Sequence, residues 1–191
     1  MGFLFLMGNC RIPRQNARWR KDRKEVRRGV FVNEQLLRLG YAHIQRPLVA
    51  KYRDRLLRAQ EAARGEGLGI WAKTAEQNVA IAEAHGDAEG ENDWENLCDE
   101  YIVIENREDI SLDLTGWTVS DEANHRYFFP SFVLKAKAAV TLRTGVGRNT
   151  ESEIFWGSRG PIWNNDGDTI FMRDSEGQLA LSLIYWLVGQ H

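Results

Sequence analysis

The sequence predicts an α+β protein of two unlike parts: one short strand with two helices, then an all-β antiparallel sandwich. Three observations lead there. Charge is divided along the chain: residues 1–78 carry 17 Lys+Arg and 7 Asp+Glu, net +10, whereas residues 79–191 carry 8 and 20, net −12. Helical periodicity is concentrated before residue 72, and after residue 97 short apolar runs follow one another between turn-forming residues. The overall net charge of −2 therefore conceals two electrostatic opposites, which is the mark of two modules. A hydrophobic content of 43% with 7 Trp supplies a packed core and excludes wholesale disorder. The reading divides the chain into a basic, poorly ordered segment over 1–28, a first module over 29–72, an acidic linker over 73–95 and a sandwich over 96–188.

Residues 1–28 hold nine basic positions between Arg11 and Arg28 and almost no apolar period. The apolar start Gly2–Met7 is too short to span a membrane and has no basic residue before it, so no signal peptide is recognised. Gly29-Val30-Phe31-Val32-Asn33 reads as a short strand, with Asn33 as N-cap for a helix over Glu34–Leu39 and Gly40 in the left-handed position that ends it. Beyond Pro47, Tyr52, Leu56, Ala59 and Ala63 recur at helical spacing, while Arg53, Arg55, Arg58 and Arg64 take other faces. Gly65, Gly67 and Gly69 stop this helix, and Leu68, Ile70 and Trp71 supply an apolar anchor able to fold back on it. Between Ala72 and Asn96 acidic residues alternate with small ones, which reads as a linker with a frayed helix over Val79–Ala84.

The sandwich strands are expected at 101–104, 117–119, 127–129, 139–142, 170–172 and 179–186. In Leu112–Val119, Leu112, Leu114 and Trp117 suit a core, Asp113 and Thr115 suit solvent, and Gly116 permits a bend. Asn165-Asp166-Gly167-Asp168 is a hairpin-turn signal. A calcium loop at Asn164, Asp166 and Asp168 is disfavoured, because Thr169 stands where such a loop needs Gly and Ser175 where it needs Glu. Cys10 and Cys98 lie too far apart in sequence for a zinc motif and read as free thiols.

Leu112-Asp113-Leu114-Thr115-Gly116-Trp117-Thr118-Val119-Ser120-Asp121 resembles the lamin-tail domain family, together with Tyr101–Asn106, Phe129-Pro130, Gly145 and Ile162–Thr169. The match runs over roughly residues 95–186. The resemblance implies an immunoglobulin-like sandwich used as an interaction module, in prokaryotic proteins often attached to nucleases or other hydrolases, with an unknown protein or surface as partner. The runs Val32–Ala42, Leu56–Arg64 and Leu68–Trp71 resemble the C-terminal half of the thermonuclease (staphylococcal-nuclease-like) domain. That family, often secreted, builds an OB-type barrel ahead of these helices and cleaves phosphodiester bonds with calcium.

The resemblance places the family's calcium-binding aspartates, catalytic arginine and catalytic glutamate on barrel strands upstream, and 28 residues precede Gly29. Asp22 is followed by neither Tyr nor Gly of the family's remaining arginine motif, so no catalytic residue is carried across. No His-Glu-x-x-His, paired-Cys motif, phosphate loop or nucleophile elbow occurs, and His43, His85, His125 and His191 are scattered. What remains is electrostatics. Arg11, Arg14, Arg18, Trp19, Arg20, Lys21, Arg23, Lys24, Arg27 and Arg28 are the candidate nucleic-acid-binding residues, suited to salt-sensitive phosphate contact with one stacking ring. The expectation is an interaction protein without a cofactor, with a calcium-dependent nuclease as the alternative.

Overall fold

The computed structural model describes residues 31–45, 51–72, 78–90 and 93–185. The chain divides into two compact units between Ile70 and Trp71. In the first, α1 spans Val32–Arg38 and α2 spans Arg53–Gly65. The two pack through Leu37, Leu56 and Ala59, joined by Ala42 and Ile44 from the segment after α1. Gln60 is 2% exposed, and its side-chain oxygen accepts the Ile44 N–H at 2.6 Å, which ties that segment to α2. Of the expected stripe, Leu56, Ala59 and Ala63 are buried, while Tyr52 caps the helix start and meets Phe31 edge-on at 5.2 Å.

Both helices end in the same way. Gly40 N–H reaches Leu37 O and Tyr41 N–H reaches Leu36 O; Gly67 and Leu68 repeat the pattern onto Arg64 and Ala63. With φ of 69° at Gly40 and 63° at Gly67, these are Schellman closures whose left-handed residue favours glycine. The two ends meet at a backbone contact, in which Ile70 N–H donates to Gly40 O at 2.8 Å. A Cβ at Gly40 would lie 2.0 Å from Leu68 O.

The helix start corrects the sequence reading. Val32 and Asn33 lie inside α1, Phe31 is the N-cap with no side-chain bond, and Gln35 N–H closes the first turn on Phe31 O. The capping preference of Asn33 gives way because Glu34, in the favourable first turn, forms an ion pair with Arg55 of α2. Residues 29 and 30 of the expected strand lie outside the described residues.

The described residues of the second unit form a sandwich of ten strands: β1 Val79–His85, β2 Tyr101–Asn106, β3 Leu112–Asp113, β4 Thr118–Ser120, β5 Arg126–Phe128, β6 Val133–Leu134, β7 Ala139–Arg143, β8 Glu153–Phe155, β9 Asp168–Arg173 and β10 Leu179–Tyr185. One sheet has the order β1-β2-β7-β8 and the other β10-β9-β4-β5, with β3-β6 as a separate pair. All pairings are antiparallel except β7 with β8. Ile102, Ile104, Val140 and Leu142 from the first sheet face Val119, Ile170 and Met172 from the second, each at most 1% exposed. Leu114 and Trp117 enter this core while Asp113 and Thr115 stay outside, and Gly116 bends the chain at φ 76°. The six expected apolar runs fall on or against strands of these sheets, with Trp186 of the last run outside the described residues. Trp71, the first residue of this unit, is buried with its ring 5.4 Å from Phe171.

The expected linker with a frayed helix over Val79–Ala84 is corrected. That stretch is β1, paired with β2 along its length, Ile81 opposite Ile104 and Ala84 opposite Ile102. Two things hid it. Its three alanines favour helix, and a bulge between Ile81 and Glu83 breaks the two-residue alternation by which a strand is recognised.

Candidate binding groove

Three loops at one place in the sandwich are joined by backbone hydrogen bonds. Thr144 N–H donates to Glu100 O, Gly145 N–H to Leu97 O, Gly157 N–H to Gly145 O and Ser158 N–H to Thr144 O, at 2.9 to 3.1 Å. Between them lies an open groove of about 410 Å³, within the size range of ligand sites. Leu97, Cys98 and Val146 line it with Trp94, while Glu95 and Arg159 bring the charges. Trp94 sits in a 3₁₀ turn over Asp93–Glu95 and is 68% exposed; Val146 is 73% exposed.

Two glycines shape this surface. A Cβ at Gly145 would meet Cys98 Sγ at 2.5 Å, and one at Gly160 would meet the Trp94 indole at 2.9 Å. The loop crossing and the seat of the ring therefore both depend on a missing side chain. The wall is braced from beneath. Arg143 donates to Cys98 O at 2.6 Å and to Glu153 Oε1 at 2.5 Å, and its guanidinium lies 5.2 Å from the Tyr101 ring. His85 stacks on the same Tyr101 ring at 5.2 Å. The Cys98 thiol points at Val146 O, 3.8 Å away.

Glu100 anchors the far side. Its carboxylate is fully buried and accepts the N–H of Ile162 at 3.1 Å and of Trp163 at 2.7 Å, so the chain leaving the groove is held to the start of β2. Three further buried carboxylates have partners of the same kind. Asp168 accepts the N–H groups of Glu122, Asn164 and Thr169 and the Asn164 amide. Asp121 accepts His125 N–H at 2.7 Å and lies 2.6 Å from His125 Nδ1; Glu122 accepts the Thr169 hydroxyl at 2.6 Å. Burial pushes the carboxyls of Glu100, Asp121 and Asp168 above their ordinary range, against the pull of these donors. The Tyr185 phenol is pushed far up by burial and by the acids around it.

The turn that sets Asn164 against Asp168 closes with Gly167 N–H on Asn164 O, at a Gly167 φ of 107°. Asp168 thus has its oxygens filled by N–H donors. Among the described residues no group of three or more His, Cys, Asp or Glu is placed to hold a metal ion.

The sandwich, its loop groove and its buried acid anchors coincide with the match of residues 72–186 to the Lamin Tail Domain family. The chain belongs to that family. Residues 21–73 match the Staphylococcal nuclease homologue family, so a nuclease-like segment precedes the lamin tail domain. The lamin tail domain includes β1, ahead of where the resemblance begins in the sequence. No curated protein matches the chain at significant similarity. Among the described residues no helix is long and apolar enough to cross a membrane.

Arg11, Arg14, Arg18, Trp19, Arg20, Lys21, Arg23, Lys24, Arg27 and Arg28 all lie outside the described residues, as does Cys10. Of the groove lining, the sequence reading named Cys98 only as a free thiol and Gly145 only within the family resemblance, and assigned neither to a site. The signal available was one tryptophan, Trp94, among acidic residues, in a stretch whose composition reads as linker.

Proposed function

We propose that the chain is a binding protein in which the lamin tail domain takes a partner and the basic segment over 11–28 contacts phosphate backbones without sequence preference. The groove beside Trp94 carries this reading: an exposed aromatic on loops already fixed by backbone bonds suits recognition, since little ordering entropy remains to be lost on binding. The nine basic residues between Arg11 and Arg28 support the second half of it. In the described part of the nuclease-like segment, Glu34 is engaged by Arg55 and Glu61 faces solvent.

A second reading, calcium-dependent phosphodiester cleavage, is favoured by the match of residues 21–73 to the nuclease family. One experiment separates the two. Labelled single- and double-stranded DNA is incubated with the full chain, with calcium or with chelator, and scored for retention and cleavage at two salt concentrations. Binding reading: retention without cleavage, its logarithm falling with log salt at a slope of about −0.9 per phosphate neutralised on duplex. Cleavage that requires calcium would overturn that reading in favour of the second.

A further inference from the structure

We propose that the apolar run Phe3–Met7 docks on the helix pair, over the face made by Leu39, Tyr41 and Leu68. The inference goes beyond the binding reading and does not depend on it. The face is a product of the glycine contact between the two helix ends. A Cβ at Gly40 would lie 2.0 Å from Leu68 O and one at Gly69 would lie 2.2 Å from Gly40 O, while Ile70 N–H donates to Gly40 O. That close crossing sets Leu39 and Tyr41, the neighbours of Gly40, beside Leu68. The three are 41%, 65% and 36% exposed, whereas Leu37, Ala42 and Ile44 of the same stretch are buried. Val32, two turns before Leu39 on the same side of α1, extends the face at 41% exposure. A cluster of exposed large apolar side chains marks an interaction site.

Three observations choose the occupant. The first is chemistry: Phe3-Leu4-Phe5-Leu6-Met7 places large apolar residues in succession without a charge, in a stretch too short to span a membrane. The run lies outside the described residues. The second is reach. The run is on the same side of the division at Ile70–Trp71 as the helices, and 23 residues, 8–30, separate it from Phe31 at the start of α1. A tether of that length has a root-mean-square span of about 26 Å, against about 20 Å for the length of α2, so the run reaches any point of the pair. The tether also supplies an effective concentration on the order of a millimolar, which favours the run over a partner free in solution. The third is charge: a second copy meeting face to face would bring together two halves of net +10, whereas the run is uncharged. Docking closes residues 8–30, with the nine basic positions between Arg11 and Arg28, into a loop fixed at both ends.

Cys10 follows the run closely and permits a direct test. In the full chain carrying Cys98→Ser, a nitroxide on Cys10 should broaden the amide resonances of Leu39, Tyr41 and Leu68 and leave Asp54, at the opposite end of α2, sharp. Phe3→Ser together with Phe5→Ser should shift the docking equilibrium at least about tenfold toward release, since burial of each ring is worth that much. The three amides should then be broadened no more than Asp54. Tyr41→Ser acts from the other side of the contact and should reduce the broadening with helical ellipticity unchanged, because the Tyr41 side chain is 65% exposed.

A mixture of spin-labelled chain with isotope-enriched chain that carries no label reads contact between copies, and should show no broadening at these amides. Broadening in that mixture would overturn the proposal and assign the face to a second copy. No broadening within the labelled chain, equal broadening along α2, or broadening indifferent to Phe3→Ser and Phe5→Ser would overturn it by removing the run as the occupant.

Discussion

Replacing Glu100 tests how the groove and the core are held. The side chain is completely buried, and its Oε1 takes the backbone N–H of both Ile162 and Trp163. Glu100→Ala removes the acceptor and leaves two buried donors unpaired, at about 1–3 kcal/mol each, so a loss of about 2–6 kcal/mol is expected before any cavity cost. Glu100→Gln retains an oxygen at the same reach and should lose far less. The charge adds a pH signature. Burial raises the Glu100 carboxyl, so the folded state binds its proton more tightly than the unfolded chain does. The stability gained from this is present below the unfolded carboxylate range and is lost as pH rises through the folded value. Glu100→Gln cannot titrate, so its stability relative to wild type should improve from acid to neutral pH. Urea unfolding of the full chain, followed by near-ultraviolet circular dichroism at several pH values, measures both effects. A Glu100→Ala cost below about 1 kcal/mol, or a Gln variant as damaged as the Ala variant, would refute the account of Glu100 as a backbone acceptor.

Gly40→Ala and Gly69→Ala should each unlatch the helix pair, because their Cβ atoms would sit 2.0 Å from Leu68 O and 2.2 Å from Gly40 O at φ of 69° and 57°. The left-handed backbone alone costs about 1–3 kcal/mol, visible as lost helical ellipticity and faster amide exchange at Ile70. Gly65→Ala, with nothing within 4 Å of the new Cβ, should be neutral or stabilising in the same assays. His125→Ala removes the ring nitrogen 2.6 Å from Asp121, where the imidazole side chain is 53% exposed. A loss of about 1 kcal/mol is expected at neutral pH, given that solvent screening. Burial would then act on Asp121 with less opposition, so the variant's deficit should shrink as pH falls and Asp121 takes up a proton, a trend thermal melts across the acid range would show.

The core of the sandwich was legible because its strands obey simple alternation. Leu114 and Trp117 inside, Asp113 and Thr115 outside, and a left-handed Gly116 follow from period two and one glycine. The helix ends were legible for a related reason: Gly40 and Gly67 lie one residue past each C-cap, where left-handed backbone is required. What escaped were features settled by distant partners. β1 owes its form to the ladder with β2, which overrides the helical preference of Ala80, Ala82 and Ala84. Gln60 reads as a surface residue until Ile44 N–H is found upon it, and Glu100 reads as one more acid of an acidic stretch. The groove escaped because its walls come from positions 94–98, 145–146 and 158–159, which meet only after the sheets have formed.

The buried acids also change what the charge count means. Glu100, Asp121, Glu122 and Asp168 are at most 2% exposed. Burial favours the neutral form of Glu100, Asp121 and Asp168, so the −12 of residues 79–191 overstates the field felt outside. Even with those three set aside the count is −9, still enough to repel a polyanion at low ionic strength. On the proposed reading, phosphate contact therefore falls to residues 1–78, with their net charge of +10. Deleting residues 1–28 should abolish DNA retention while leaving thermal unfolding of the lamin tail domain unchanged; retention that survives the deletion would refute the assignment of phosphate contact to the basic segment.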